Sequence, residues 1–339
     1  MKINTLSLHA YTHSFNVAQA CPRSGLLIRL VNEKGSSGWG DIAPFSHLSH
    51  GVKSWANPQN EALDAAFAQI GQKREAIIRI DWTLKTWLKE LTGLNLLPAV
   101  AFGLESALLS LLNPLAEHVL EVSALLMGTP QEILKQAKLR YEEGYQSAKL
   151  KIGHLTFQEA ADLVYALKDQ FRLRIDVNRA WKTANCLRFF SQFALDAFDY
   201  VEEPFQNPHD LSLFSHPLAL DESFMKDLSL KQVESLPAVR ALVYKPAVHG
   251  GIANCLPLKT WAAERGISLV LSSSFESDLG LAHIASMAHR LSLDTPVGMG
   301  TYHYLQDYLC AVPLRFSNSS VYIPSQIAPK NLQHEALSD

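Results

Sequence analysis

The sequence predicts an α/β protein in which a closed parallel barrel of TIM type follows a smaller α+β capping domain. From about residue 120, strand-like and helix-like segments alternate about eight times over roughly 190 residues, the rhythm of a parallel sheet with crossover helices. The first ninety or so residues lack that rhythm and carry a hairpin pattern instead. Ionisable residues also recur near the C-terminal ends of successive predicted strands, about one βα unit apart, where barrels gather their functional groups. Eight repeats are enough to close a barrel, and no GxGxxG turn or P-loop follows any strand. Gly298-Met299-Gly300 comes nearest and lacks the third glycine.

The elements follow in order. LLIRLVNEKGSSGWGDIAP reads as a strand, a turn at Gly35-Ser36-Ser37-Gly38, and a returning strand, with the stretch from Gly38 to His50 expected to loop over the barrel mouth. Helical spacing covers 59–71 and 82–91, and Pro98 opens a stronger helix over 98–112. EVSALLMG is a strand. Thr129 and Glu132 form a capping box for the next helix, which Gly144 closes; Thr156 and Glu159 form another. YQSAKLKIG, LRIDVN, DYVEEP, LALDES, ALVYKP and ISLVLSSS are the following strands, with helices near 157–169, 183–197, 229–236, 252–265 and 278–292. A last short strand follows. These assignments place a capping domain at 1–95, to which the C-terminal tail contributes, and a catalytic barrel at 96–320.

Composition narrows the function. The chain has 339 residues, 47% of them hydrophobic and 19% charged, with a net charge of −3, so it can bury a sizeable core and presents no nucleic-acid surface. The N-terminal MKINTLSLHAYTHSF has no apolar core, and the most apolar region, 94–127, is broken by Pro98, Glu105, Asn113, Pro114, Glu117 and Glu121. Cys21, Cys186, Cys255 and Cys310 form no CxxC pair. The expectation is a reduced cytoplasmic protein with no membrane, nucleic-acid or obligate protein partner.

Within SAKLKIG, period-two alternation turns Lys149 and Lys151 to the same side of one strand. Asp176, Glu202, Asp221 and Lys245 follow at intervals of 25, 26, 19 and 24 residues from Lys151 onward. A plain structural reading stands beside each: Asp176 or Asp221 as a helix N-cap, Glu203 in place of Glu202, Lys245 at a rim. Together, three carboxylates on consecutive strands need a cation between them. Their all-oxygen chemistry suits Mg²⁺, with Mn²⁺ as a substitute. A small carboxylate substrate held there could lose its α-proton to Lys151, tuned by its neighbour Lys149. Ser272, Ser273 and Ser274 could bind a carboxylate through hydroxyls and backbone N–H groups, or cap the following helix. Gly250 and Gly251 could let backbone approach the same group, or form a plain loop.

These segments resemble the enolase superfamily, in its muconate-lactonizing-like subgroup. KxK on the second barrel strand, then Asp, Glu and Asp, then Lys before Pro are filled by SAKLKIG, RIDVNRAW, VEEPF, LDES and VYKP. With GWGDIAP, FGLESAL and SSSFESDLGL, they are most similar to the o-succinylbenzoate synthase family. The resemblance implies a (β/α)7β barrel and Mg²⁺-dependent syn dehydration of 2-succinyl-6-hydroxy-2,4-cyclohexadiene-1-carboxylate to 2-succinylbenzoate in menaquinone synthesis. It implies Asp176, Glu202 and Asp221 as metal ligands, Lys151 as base and then acid, Lys245 as the stabilising cation across the ring, and Asn178 among the substrate contacts. The sequence departs at Gly300, where many relatives carry Asp, and at Val248, where racemase-type relatives carry a basic residue. The alternatives are an N-succinylamino acid racemase or dipeptide epimerase of the same superfamily, a Schiff-base aldolase barrel, and a non-catalytic binding barrel.

Overall fold

The computed structural model describes residues 1–16, 22–44, 63–224 and 226–330. The chain opens with a long strand, β1 (Ile3–His13), which the sequence analysis leaves unassigned. A register shift between Ile3 and Thr5 and the burial of His9 and His13 blur the apolar alternation that would have marked it. β2 (Arg23–Asn32) and β3 (Ser37–Ile42) form the expected hairpin around Gly35, giving a three-stranded antiparallel sheet in the order β1-β2-β3. Gly38–Ile42 is therefore strand rather than mouth loop; residues 45–50 of that expected loop lie outside the described residues.

Three helices follow: α1 (Leu63–Arg79) and α3 (Pro98–Leu112) cover this sheet, and α2 (Trp87–Gly93) lies between them in the chain, its Leu91 in the same core. The start expected for the first at 59 lies outside the described residues, and α1 runs on past 71. The second starts later than expected, because Trp82 is fully buried ahead of it, donating from Nε1 to Ile77 O at 3.0 Å. α3 begins at Pro98 as expected and serves two cores. Leu104, Ala107 and Leu108 pack with the sheet, while Phe102 and Leu109 belong to the barrel core. A Cβ on Gly40 would overlap the carbonyl oxygen of Gly103, so β3 and α3 touch backbone to backbone.

The second part supplies β4 (His118–Glu121), β5 (Ala124–Leu126), α4 (Pro130–Glu142), β6 (Ser147–Lys151), α5 (Phe157–Leu167), β7 (Arg172–Asp176), α6 (Thr183–Phe190), β8 (Tyr200–Glu202) and β9 (Leu218–Leu220). It continues through α7 (Leu230–Glu234), β10 (Val239–Tyr244), α8 (Pro246–His249), α9 (Ile252–Ala263), β11 (Ser268–Leu271) and α10 (Asp278–Arg290). Both expected capping boxes form, at Thr129/Glu132 and Thr156/Glu159. α6 stops at Phe190, short of the expected 197.

β5 to β11 make one seven-stranded sheet in sequence order, every neighbour parallel. The last strand shrinks to Val297 and Gly298, which bridge Val122 on one side and Ser272 on the other. Their amides donate to Glu121 O and Leu271 O at 2.9 and 2.8 Å, closing the barrel. EVSALLMG splits: β5 joins the barrel, and β4 pairs with β13 (Ser320–Ile323), itself paired with β12 (Arg315–Ser317).

The N-terminal sheet is tied to the barrel by polar contacts as well as by α3. Asp41, fully buried, accepts from Tyr11 Oη at 2.6 Å and from Ser277 N and Oγ at 3.1 and 2.6 Å, at the start of α10. Leu309, Cys310 and Ile327 of the C-terminal segment pack with Tyr11, Leu27 and Trp39. No helix among the described residues is long and apolar enough to cross a membrane. The cysteines among them, Cys186, Cys255 and Cys310, are buried and unpaired.

Candidate active site

Five consecutive barrel strands, β6 to β10, each bring an ionisable residue to or just past the C-terminal end, and the parallel register aligns the first three: Lys151 pairs with Asp176, and Asp176 with Glu202. Lys149, Lys151, Asp176, Asn178, Glu202, Asp221, Lys245 and Ser272–Ser274 all line one cavity of about 210 Å³ at that end. Gly250 and Gly251 lie outside its lining. A Cβ on Gly251 would strike the Glu105 carboxylate, which accepts the amides of Ile252 and Ala253 at 2.5 and 3.1 Å and so caps α9. Tyr244 Oη donates to the Gly250 carbonyl at 3.0 Å.

The two lysines of β6 share a side, as the alternation requires, and both approach Asp176. Lys149 Nζ sits 3.0 Å from Asp176 Oδ2 and donates to Glu202 Oε1 at 2.7 Å. Lys151 Nζ stands 3.6 Å from the same Asp176 oxygen and 3.5 Å from Asn178 Oδ1. Lys245 is not at a rim: its ammonium pairs with Asp221 Oδ2, and both side chains are largely buried. Its amide donates to His249 Nδ1 at 3.1 Å, and burial pulls that imidazole down to about 4, keeping it a neutral acceptor.

Charge is distributed unevenly among the acids. Burial pushes Asp176 up, but Lys149 and Lys151 outweigh it and hold the carboxyl at about 2. Glu202 goes the other way, to about 8, through burial against the pull of Lys149 and with the push of Asp176 and Asp221. Asp221 is lowered despite burial, chiefly by Lys245. Lys149 loses stabilisation on burial yet stands well above its ordinary range, because Asp176, Glu202 and Asp221 all surround it.

The helix-cap readings of the acids and serines do not hold. α6 is entered through Lys182, α7 is capped by Ser229, and α10 by Ser277, whose Oγ accepts from Gly280 N at 3.3 Å. Asp176 Oδ1 instead accepts the Asn178 amide at 2.9 Å. Ser273 Oγ meets Thr301 Oγ1 at 2.7 Å, and Ser274 Oγ donates to Glu276 Oε1 at 2.5 Å.

Whether the acids suit a metal can be judged from their donors. Among the described residues no three His, Cys, Asp or Glu side chains are gathered as a ready ligand group. The lysine ammonium groups stand among the carboxylates instead. Glu202 Oε2 is nonetheless buried and receives no donor, and every candidate ligand atom is a carboxylate oxygen. A hard divalent cation fits that donor set, in competition with Lys149 and Lys245.

Arg174 and Tyr200 also line the cavity and were not singled out from the sequence. Arg174 lies over the Tyr200 ring at 5.2 Å and donates to Asp199 Oδ2 at 3.1 Å. The signal was available, since Arg174 sits two residues before Asp176 and so shares its face. Phe275 is another, a bulky residue at φ 65.

The family model described as enolase C-terminal domain-like matches residues 132–328. The barrel, its N-terminal sheet and this match define an enolase-type protein. The chain is 33% identical over 311 residues to an o-succinylbenzoate synthase of Edwardsiella ictaluri, covering 86% of this chain and 88% of that protein. It is 32% identical over 304 residues to one of Yersinia enterocolitica, covering 84% of each. Among solved structures, the L-Ala-D/L-Glu epimerase of Bacillus subtilis superposes with a TM-score of 0.79 at 17% identity, covering 97% of this chain and 98% of that one. A muconate lactonizing enzyme gives 0.76 at 20%, covering 99% and 97%. At these identities the solved structures speak for the fold alone. The chain belongs to the o-succinylbenzoate synthase family of the enolase superfamily, a family of lyases.

Proposed function

We propose that the protein is an o-succinylbenzoate synthase: a cytoplasmic, Mg²⁺-dependent hydro-lyase that converts 2-succinyl-6-hydroxy-2,4-cyclohexadiene-1-carboxylate to 2-succinylbenzoate in menaquinone synthesis. The observation that carries the reading is the single cavity in which Lys151, Asp176, Glu202, Asp221 and Lys245 meet. Relatives about a third identical over most of their length bear that enzyme's name.

In this reading Lys151 begins as the free amine. It takes the proton from the ring carbon bearing the carboxylate, and its ammonium then protonates the departing hydroxyl on the same face, so water leaves and the amine is restored. Lys245, just past the end of β10 and paired with Asp221, offers a fixed positive charge to the electrons that accumulate as the C–H bond breaks. Asn178, 3.5 Å from Lys151 Nζ, aims that group. Asp176, Glu202 and Asp221 would hold Mg²⁺, which when bound supplies positive charge beside the substrate carboxylate. Ser272 and the Ser273–Thr301 pair offer hydroxyls to the succinyl carboxylate, while the Ser274 hydroxyl is held by Glu276. Gly250 and Gly251 support α9 in this reading rather than touch substrate.

The test is aromatisation of the cyclohexadiene substrate by purified protein with and without Mg²⁺, beside a panel of N-succinyl amino acids and dipeptides in D₂O. Rapid metal-dependent aromatisation with little α-deuteration is expected. Efficient α-carbon exchange with slow dehydration would replace the synthase by a racemase or epimerase.

A further inference from the structure

β8 and β9 pair only through Val201 with Leu218 and Glu202 with Ala219, so the ladder stops just before Asp221. Beyond that point the buried amides of Asp221 and Ser223 have no strand to donate to. The Glu203 side chain takes the strand's place. Its Oε1 accepts Asp221 N and Ser223 N, each at 2.8 Å, and its Oε2 accepts from Ser223 Oγ. Glu203 is 1% exposed, so these bonds are made away from water, where an unpaired amide is costly.

The backbone around it is also held in an unusual shape. Glu203 sits at φ 46, in the left-handed region that non-glycine residues avoid, and Asn178 and Arg179 at the end of β7 sit at φ 48 and 57. The Arg179 amide donates to Glu203 O at 2.8 Å, locking the two turns together. Such strain persists only where the surroundings over-determine it, and here it falls immediately after Glu202 and two residues after Asp176. The left-handed turn explains why Glu203 faces neither into the barrel nor out of it, but along the strand ends toward the neighbouring loop.

We infer that Glu203 is a positioning residue that fixes the backbone of Asp221 and thereby sets the affinity of the three-carboxylate site for a divalent cation. The inference rests on the proposed metal site. Outer groups of this kind commonly change metal affinity by about ten- to hundredfold when altered. Shortening the side chain should break the hold, whereas Gln keeps an Oε1 for both amides and should restore it.

Mn²⁺ binding, read as free Mn²⁺ by electron paramagnetic resonance without substrate, separates the outcomes. The panel is wild type, Glu203→Asp, Glu203→Gln, Ser223→Ala and Asp221→Asn, with melting temperatures measured in parallel. We expect Glu203→Asp to bind about tenfold or more weakly, Ser223→Ala to weaken binding by a smaller factor, and Glu203→Gln to stay near wild type. Asp221→Asn should bind worst. If Glu203→Asp does not fold, Ser223→Ala against Glu203→Gln decides the matter. Lower melting temperatures with unchanged Mn²⁺ affinity in Glu203→Asp and Ser223→Ala would overturn the inference and leave the metal site standing. No binding by wild type would overturn the metal site itself, and the inference with it.

Discussion

Glu105→Gln tests how the helix that follows Lys245 is anchored. Glu105 is buried on α3, where it caps α9 through the amides of Ile252 and Ala253, in the space that the missing Cβ of Gly251 leaves. Burial raises its carboxyl from an ordinary 4.5 to about 7, against the pull of those two amides and of Arg290. A carboxyl raised on folding binds more protons in the folded chain than in the unfolded one, so its contribution to stability falls as pH rises from 4.5 towards 7. Integrating that difference between about pH 5 and about pH 7 gives a loss of about 2 kcal/mol. Gln cannot titrate but still offers Oε1 to an amide. Denaturant unfolding of both proteins at the two pH values, followed by tryptophan fluorescence, isolates Glu105, because the other titrating groups cancel in the difference. Wild type should lose about 2 kcal/mol more than Glu105→Gln on going to the higher pH. An equal pH response, or a larger loss in the variant, would refute the argument. The second result would mean that Glu105 folds as a carboxylate stabilised by the helix start and Arg290.

Three further outcomes are expected. Lys151→Ala should abolish dehydration, by more than the roughly 10²–10⁴-fold of an ordinary general base because one group serves as both base and acid. Lys245→Ala should fall severely too, while single-turnover assays show that its residual reaction keeps the wild-type dependence on Lys151. Gly40→Ala, which drives a methyl into the Gly103 carbonyl, should cost about 2–3 kcal/mol and lower the melting temperature by several degrees; an unchanged melt would show that β3 and α3 separate easily.

What could be read from the sequence had local causes. The capping boxes at Thr129 and Thr156, Pro98 at a helix start and the strand-end acids each depend on residues a few positions apart, and all are found in place. What could not be read depends on distant partners. The eighth strand is two residues long, and only its bridges to Val122 and Ser272 make it part of the barrel. β4 leaves the barrel because β13, some two hundred residues away, pairs with it. Glu203 and Glu202 were indistinguishable by type, and alternation offers only two directions. A left-handed φ at 203 opens a third, and nothing in VEEP announces it.

The KxK pair shows how far a local pattern reaches before geometry has to finish the argument. Alternation puts Lys149 and Lys151 on one side of β6 but treats them as equals. They are not equals in the fold. Lys149 is wedged between Asp176 and Glu202 within ion-pair distance of both, its side chain 18% exposed, and those carboxylates hold its proton well above the ordinary range. A group held so firmly as a cation is a poor base and a good counter-charge for the acids. Lys151, one turn of the pleat further out and 27% exposed, has a single carboxylate oxygen at 3.6 Å and Asn178 at the edge of hydrogen-bonding range. Two positions along one strand thus give the lysines different surroundings, Lys149 between two carboxylates and Lys151 beside one carboxylate oxygen and Asn178.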